Sequence, residues 1–189
     1  MIQMSKLTLR KHFLYKRESV TESEKISLSS KINKNLQLQK EFMAATNIAS
    51  YRSFRKEPLL IELKDKSYFY PKIDGLNLTF HSDKNGFVTN KYDIEEPKNK
   101  NNIAINEIDI FLVPLISFNK DLYRIGFGGG YYDRTLNKLL NNKSRPKFFG
   151  ISYDFQLTEC KFESKFDVRL DKVITDKNCL LYTSDAADD

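Results

Sequence analysis

Apolar positions in the first 45 residues recur at helical spacing. In residues 5–20, Leu7, Phe13 and Leu14 supply an apolar face, while Lys6 and Arg10, four apart, share another. Thr21-Glu22-Ser23-Glu24 has the spacing of a capping box and predicts the start of a second helix. Ile26, Leu28, Ile32, Leu36 and Phe42 continue that helix, with Asn33 and Asn35 as tolerated polar interruptions. After residue 46 the pattern shortens. Residues 47–51 suit a buried strand, and Pro58 suits the first turn of a helix that turns Leu59, Leu60 and Leu63 inward. Tyr68-Phe69-Tyr70 reads as a strand stopped by Pro71, Asp74-Gly75 as a turn, and residues 76–80 as an alternating strand.

Residues 83–102 are polar, broken by Gly86 and Pro97, and predict a long surface loop. Beyond them, Ile103 to Ile105 suits a short strand. Residues 108–115 have few polar positions, as in a strand covered on both faces. Phe148, Phe149 and Ile151 mark another inner strand, and Lys172 to Thr175 a short last one. Helical and strand segments alternate through much of the chain, which predicts a three-layer α/β/α fold with a mostly parallel central sheet. Ligands in such sheets bind beyond the carboxyl ends of the strands, so the loops after Tyr51, Leu115 and Ser152 are the expected site.

Length and charge narrow this picture. The 189 residues suit a single domain over 1–184, with an acidic, disordered tail at 185–189. Two cysteines suggest no disulfide framework, and no apolar run is long enough to cross a membrane, so a cytoplasmic protein with no membrane partner is expected. The net charge of +6 is concentrated at the start: residues 1–60 carry 12 Lys/Arg against 5 Asp/Glu, and residues 61–189 carry 19 against 20. A basic N-terminal stretch of this kind attracts a polyanion, either a nucleic acid or a phosphorylated small molecule.

The chemistry concentrates in one stretch. After Asp109 to Leu115 and a short polar loop comes Arg124-Ile125-Gly126-Phe127-Gly128-Gly129-Gly130-Tyr131-Tyr132-Asp133-Arg134, running into an amphipathic segment up to Leu140. Glycines before a helix start allow backbone to approach a ligand and leave N–H groups pointing at an anion. The lysine of a P-loop is missing.

This stretch resembles the signature of the 5-formyltetrahydrofolate cyclo-ligase family. The likeness extends over nearly the whole chain: Lys6-x-x-Leu9-Arg10 and Arg17 at the start, Glu57, Pro71-Lys72, Glu96-Pro97, Gly150 and Gln156, then Asp167, Asp171 and Thr175. Phe166 stands where the family commonly has histidine. The resemblance implies an ATP-dependent ligase that phosphorylates the formyl oxygen of 5-formyltetrahydrofolate. Closure by N10 then gives 5,10-methenyltetrahydrofolate, ADP and phosphate.

Read against that chemistry, phosphoryl transfer needs cations, backbone donors and Mg²⁺. Lys6, Arg10 and the amides of Gly126, Gly128, Gly129 and Gly130 are the expected ATP contacts, with Tyr131, Tyr132, Asp133 and Arg134 beside them. Tyr131 is equally suited to the core, and Arg134 to anchoring the helix. Arg124 is expected to brace the transferring phosphoryl group. Glu57 is expected to orient the formyl and N10 region and, with Lys72, Glu96 and Tyr132, to bind the folate. Asp133 and Asp171 are the candidate Mg²⁺ ligands, ahead of Asp167, although the first also suits a helix start and the second a salt bridge. A monomer or weak homodimer without nucleic acid is expected. Two other readings stay open: a coenzyme A-dependent acyltransferase using the glycine turn, and a nucleic-acid binder using the basic first 60 residues.

Overall fold

The computed structural model describes residues 4–181. The acidic tail expected at 185–189 lies outside the described residues. Three helices come first: α1 (Lys6–Glu18), α2 (Glu22–Gln37) and α3 (Lys40–Ala44). Ser5 caps α1, and Thr21 and Glu24 form the capping box predicted for α2. Then come β1 (Asn47–Ala49), β2 (Ser67–Asp74), β3 (Asn77–Ser82), β4 (Phe87–Thr89), β5 (Glu95–Pro97), β6 (Asn102–Ile103), β7 (Ile110–Pro114), β8 (Ser117–Asn119) and β9 (Arg124–Ile125). The helix α4 (Tyr131–Asn137) precedes β10 (Lys147–Ile151), β11 (Leu157–Thr158), β12 (Lys172–Ile174) and β13 (Cys179–Leu181).

Eight strands make the main sheet in the order β13-β12-β10-β7-β1-β2-β3-β6. The five from β12 to β2 are parallel, and β13, β3 and β6 pair antiparallel at the edges. Strand alternation divides the core in two. On one face Ile110, Leu112, Phe149 and Ile151 pack with Ile32, Leu36 and Phe42 of α2 and α3. On the other, Phe111, Val113 and Phe148 pack with Leu136 of α4 and with Leu139. The expected three layers with a mostly parallel sheet are present. A third cluster joins Leu9 and Phe13 of α1 to Ile116 and Ile125.

Several local expectations are corrected. Leu7 and Ile26 are exposed; the buried stripe of α1 is Leu9, Phe13 and Arg17. No helix forms from Pro58. Residues 57–63 lie extended along α2, because Ser29 and Asn33 take over their backbone bonds: Ser29 Oγ accepts from Leu59 N, and Asn33 accepts from Ile61 N and donates to Leu59 O. Asn33 is therefore a buried strap, and Asn35 reaches Thr175 O. Pro71 does not end its strand; β2 runs on to Asp74 alongside β3. The polar loop expected after Leu115 is a buried hairpin, β8–β9, completed by β11 into a second sheet. Residues 83–102 contain the hairpin β4–β5.

Candidate active site

Beyond the carboxyl ends of β1 and β7 lies a cavity of about 660 Å³, within the range of a small-molecule site. Four segments supply most of its lining, α1, the loop after β1, the hairpin β4–β5 and the glycine turn leading into α4, with β2, β3, the end of β7 and Asp167 completing it. The loop after Ser152 does not line it. That loop instead buttresses the site from behind, where the Gln156 amide donates to the carbonyls of Leu115 and Ile116.

Helix α1 presents its cations to the glycine turn. Arg10 Nε donates to Gly126 O at 2.7 Å, and its guanidinium lies 3.5 Å from where a Cβ at Gly128 would sit. Gly128 and Gly130 adopt φ of 103° and 67°, a region that disfavours side chains. Lys6 Nζ donates to Asp167 Oδ2 at 2.5 Å. Arg124 is buried, 3.1 Å from Asp133 Oδ1 and donating to Val168 O at 3.3 Å. Lys6, Arg10, Arg124, Asp133, Tyr131, Tyr132 and the glycines from Gly126 to Gly130 all line the cavity. Arg134 is absent from the lining. It anchors the helix, donating to Leu76 O and Gly129 O and lying over the Tyr131 ring.

The opposite contributions come from the loop after β1 and from the hairpin. Glu57 is buried and accepts from Phe54 N, with Arg17 Nη1 3.6 Å from its other oxygen. Burial pushes the Glu57 carboxyl up, Arg17, the Phe54 N–H and Lys25 pull it down, and it comes to rest at about 7. Glu96 lines the cavity while accepting from Ile73 N. The Tyr132 hydroxyl is buried without a protein partner among the described residues, and burial raises its pKa. Lys72 is corrected: on β2 its neighbours Pro71 and Ile73 face the cavity, so alternation turns Lys72 away, towards Pro97 O at 3.4 Å.

The metal expectation also changes. Asp171 sits at the amino end of β12, where Arg145 engages both its oxygens at 2.6 and 2.8 Å and Phe148 N donates to Oδ2. It lies at the wrong end of the sheet with no oxygen to spare. The carboxylates at the glycine-turn end are Asp133 and Asp167. Among the described residues, the contacts of Asp133 fall on Oδ1 and those of Asp167 on Oδ2, which leaves each a second oxygen for a cation. Partial burial works against the Asp167 charge, but Lys6 and Ser164 outweigh it and hold the carboxyl below its usual range. This donor set, two carboxylates beside a phosphate-type turn, fits Mg²⁺, which takes few protein oxygens and keeps its waters.

A model of the 5-formyltetrahydrofolate cyclo-ligase family matches residues 2–176. The chain belongs to this family. A cyclo-ligase of Mycoplasma pneumoniae is 34% identical over 175 residues, covering 92% of this chain and all of the relative. The Escherichia coli K12 cyclo-ligase is 33% identical over 102 residues, about half of each chain. Among solved structures, the 5,10-methenyltetrahydrofolate synthetase of M. pneumoniae matches with a TM-score of 0.73 at 34% identity, over 92% of this chain and 99% of that one. That of Aquifex aeolicus matches with a TM-score of 0.80 at 28% identity, over 98% and 97%. In this cyclo-ligase, sequence reasoning overlooked the wall of the hairpin, Asn90, Tyr92 and Ile94, and the aromatic pair Phe54–Phe127, whose rings meet at 5.6 Å. No periodic signal marks these loop residues.

Proposed function

We propose that this cyclo-ligase converts 5-formyltetrahydrofolate and ATP into 5,10-methenyltetrahydrofolate, ADP and phosphate inside this one cavity. The observation that carries the reading is the meeting of two unlike linings in one space. Lys6, Arg10 and bare backbone come from α1 and the glycine turn, which also brings Phe127 and Tyr132. The carboxylates Glu57, Glu95 and Glu96 come with Tyr51, Phe54 and Tyr92 from the loop after β1 and the hairpin, beside Arg52 and Arg55. The first set suits a triphosphate and the second a reduced pterin. Lys6, Arg10 and the amides from Gly126 to Gly130 hold the phosphates, with Arg124 directed at the γ-phosphoryl group. Asp133 and Asp167 would hold Mg²⁺, which would offset phosphate charge. Glu57, Glu96 and Tyr132 hold the folate.

In the reaction, the formyl oxygen attacks the γ-phosphorus and ADP leaves. The N10 lone pair adds to the formyl carbon, and Glu57, in its carboxylate form, takes the N10 proton. The carbon–oxygen bond then breaks and phosphate departs with its electrons. A carboxyl group near pH 7 is suited to that proton transfer. The family assignment favours neither the acyltransferase nor the nucleic-acid binder.

The test is to mix the purified protein with Mg²⁺-ATP and 5-formyltetrahydrofolate and follow the methenyl chromophore and ADP together. Equal amounts of both support the reading; ATP binding without methenyl product overturns it. The metal assignment has its own test. Asp167→Asn is expected to weaken Mg²⁺-dependent ATP binding by about tenfold or more, since it removes one charged ligand. Asp171→Asn is expected to lower the melting temperature and leave the metal dependence as it is. The opposite pattern would restore Asp171 as the ligand.

A further inference from the structure

Arg17 is the most deeply withdrawn charge among the described residues, with none of its surface exposed. Among the described residues, Nη1 alone donates to a protein group, the Leu115 carbonyl at 2.9 Å, and Nε and Nη2 have no hydrogen-bond partner. Burying a guanidinium so incompletely satisfied is costly, and an apolar side chain of the same length would serve packing better. A feature kept against stability calls for a functional account.

Its position supplies one. Arg17 follows Arg10 by seven residues, two helical turns, so one stripe of α1 carries the phosphate-end cations and, about 10 Å further along, Arg17. There it touches three parts of the site at once. It faces Glu57 at 3.6 Å, holds the carbonyl just beyond β7, and lies 5.6 Å from the Phe127 ring in the glycine turn. It does not line the cavity. We infer that Arg17 is a positioning residue, fixing the charge and direction of the Glu57 carboxylate and tying them to the glycine turn. This rests on the function proposed above.

Other groups also face Glu57. Lys25 acts from α2, while the phenols of Tyr51, Tyr132 and Tyr153 come from the end of β1, from α4 and from the segment after β10; Arg55, in the loop after β1, acts on Arg17 instead. Arg17 is the first of the cations pulling the carboxyl down, ahead of Lys25.

The test uses the full chain with Arg17→Met and Arg17→Lys. Arg17→Met is expected to keep ATP affinity within about threefold, lower kcat by about 10²-fold, and move the pH midpoint of kcat/KM up by about one unit. Arg17→Lys keeps the charge and loses the fork, so its midpoint stays in place while kcat falls about tenfold. In a Glu57→Gln background, Arg17→Met adds no further loss. An unmoved midpoint in Arg17→Met, wild-type kcat in Arg17→Lys, or a full additional loss in the double variant each overturns the inference. If Arg17→Met does not fold, Arg17→Lys alone decides. Carbon-13 NMR titration of the Glu57 carboxyl in wild type and Arg17→Lys needs no turnover. It separates failure of this inference from failure of the proposed reaction: a Glu57 resonance identical in both proteins, in midpoint and chemical shift, contradicts the inference whatever the enzyme catalyses.

Discussion

Replacing Glu57 by glutamine lowers kcat by about 10²–10³-fold, the usual worth of a positioned proton acceptor. Glutamine keeps the shape of the side chain and can still accept from Phe54 N, so it removes the negative charge, and with it both the ability to take the N10 proton and the pairing with Arg17. In the wild type, activity is expected to depend on the carboxylate form. That form grows as pH rises through about 7, so kcat/KM climbs over this range and then levels off. Glu57→Gln has no such limb. Stability moves the other way. The folded pKa lies above the ordinary carboxyl value of 4.5, so the folded state binds the proton more tightly. Its stabilising contribution is complete below about 4.5 and is lost as pH rises through about 7, at most about 3 kcal/mol. Wild type therefore loses stability over this window in which Glu57→Gln does not. An activity limb near 7 that persists in the variant would assign the proton transfer to another group.

The second large effect is at Arg124. Alanine there is expected to lower kcat by about 10³-fold, as removal of an arginine from a transferring phosphoryl group does. ATP affinity should change less, because Lys6, Arg10 and the glycine amides stay in place. Arg124 is buried and also braces Asp133, so some loss comes from a displaced carboxylate. Arg124→Lys separates the two: it restores a charge to Asp133 and lacks the planar fork. Turnover in the alanine variant within tenfold of wild type, at saturating ATP, would remove Arg124 from the transfer step.

What was legible in the sequence was whatever is local. Thr21 and Glu24 form their capping box because three residues suffice to define it. The apolar runs around Ile110 and Phe149 announce strands covered on both faces. Arg124 to Asp133 advertises its turn through glycines that only a special backbone requires. The failures share the opposite trait. Leu59 and Leu63 carry a helical pattern, but Ser29 and Asn33, some thirty positions away, claim the backbone bonds a helix would have used. Pro71 sits in the middle of β2 because β3 pairs past it. Lys72 and Glu96 look equally eligible for the site until strand alternation turns one away and a hairpin brings the other in. Asp167 and Asp171 are four apart on one segment, and Arg145 occupies the second of them. Arg17 carried a faint signal, its heptad spacing from Arg10, which gains meaning once Glu57 is seen beside it.

The central claim is that ATP phosphorylates the formyl oxygen in this cavity before N10 closes the ring. The most direct measurement uses 5-formyltetrahydrofolate carrying oxygen-18 in its formyl group and follows the label by mass spectrometry of the released phosphate. One labelled oxygen is expected in each phosphate formed with methenyl product. Methenyl product accompanied by unlabelled phosphate, with the label in water, would contradict it.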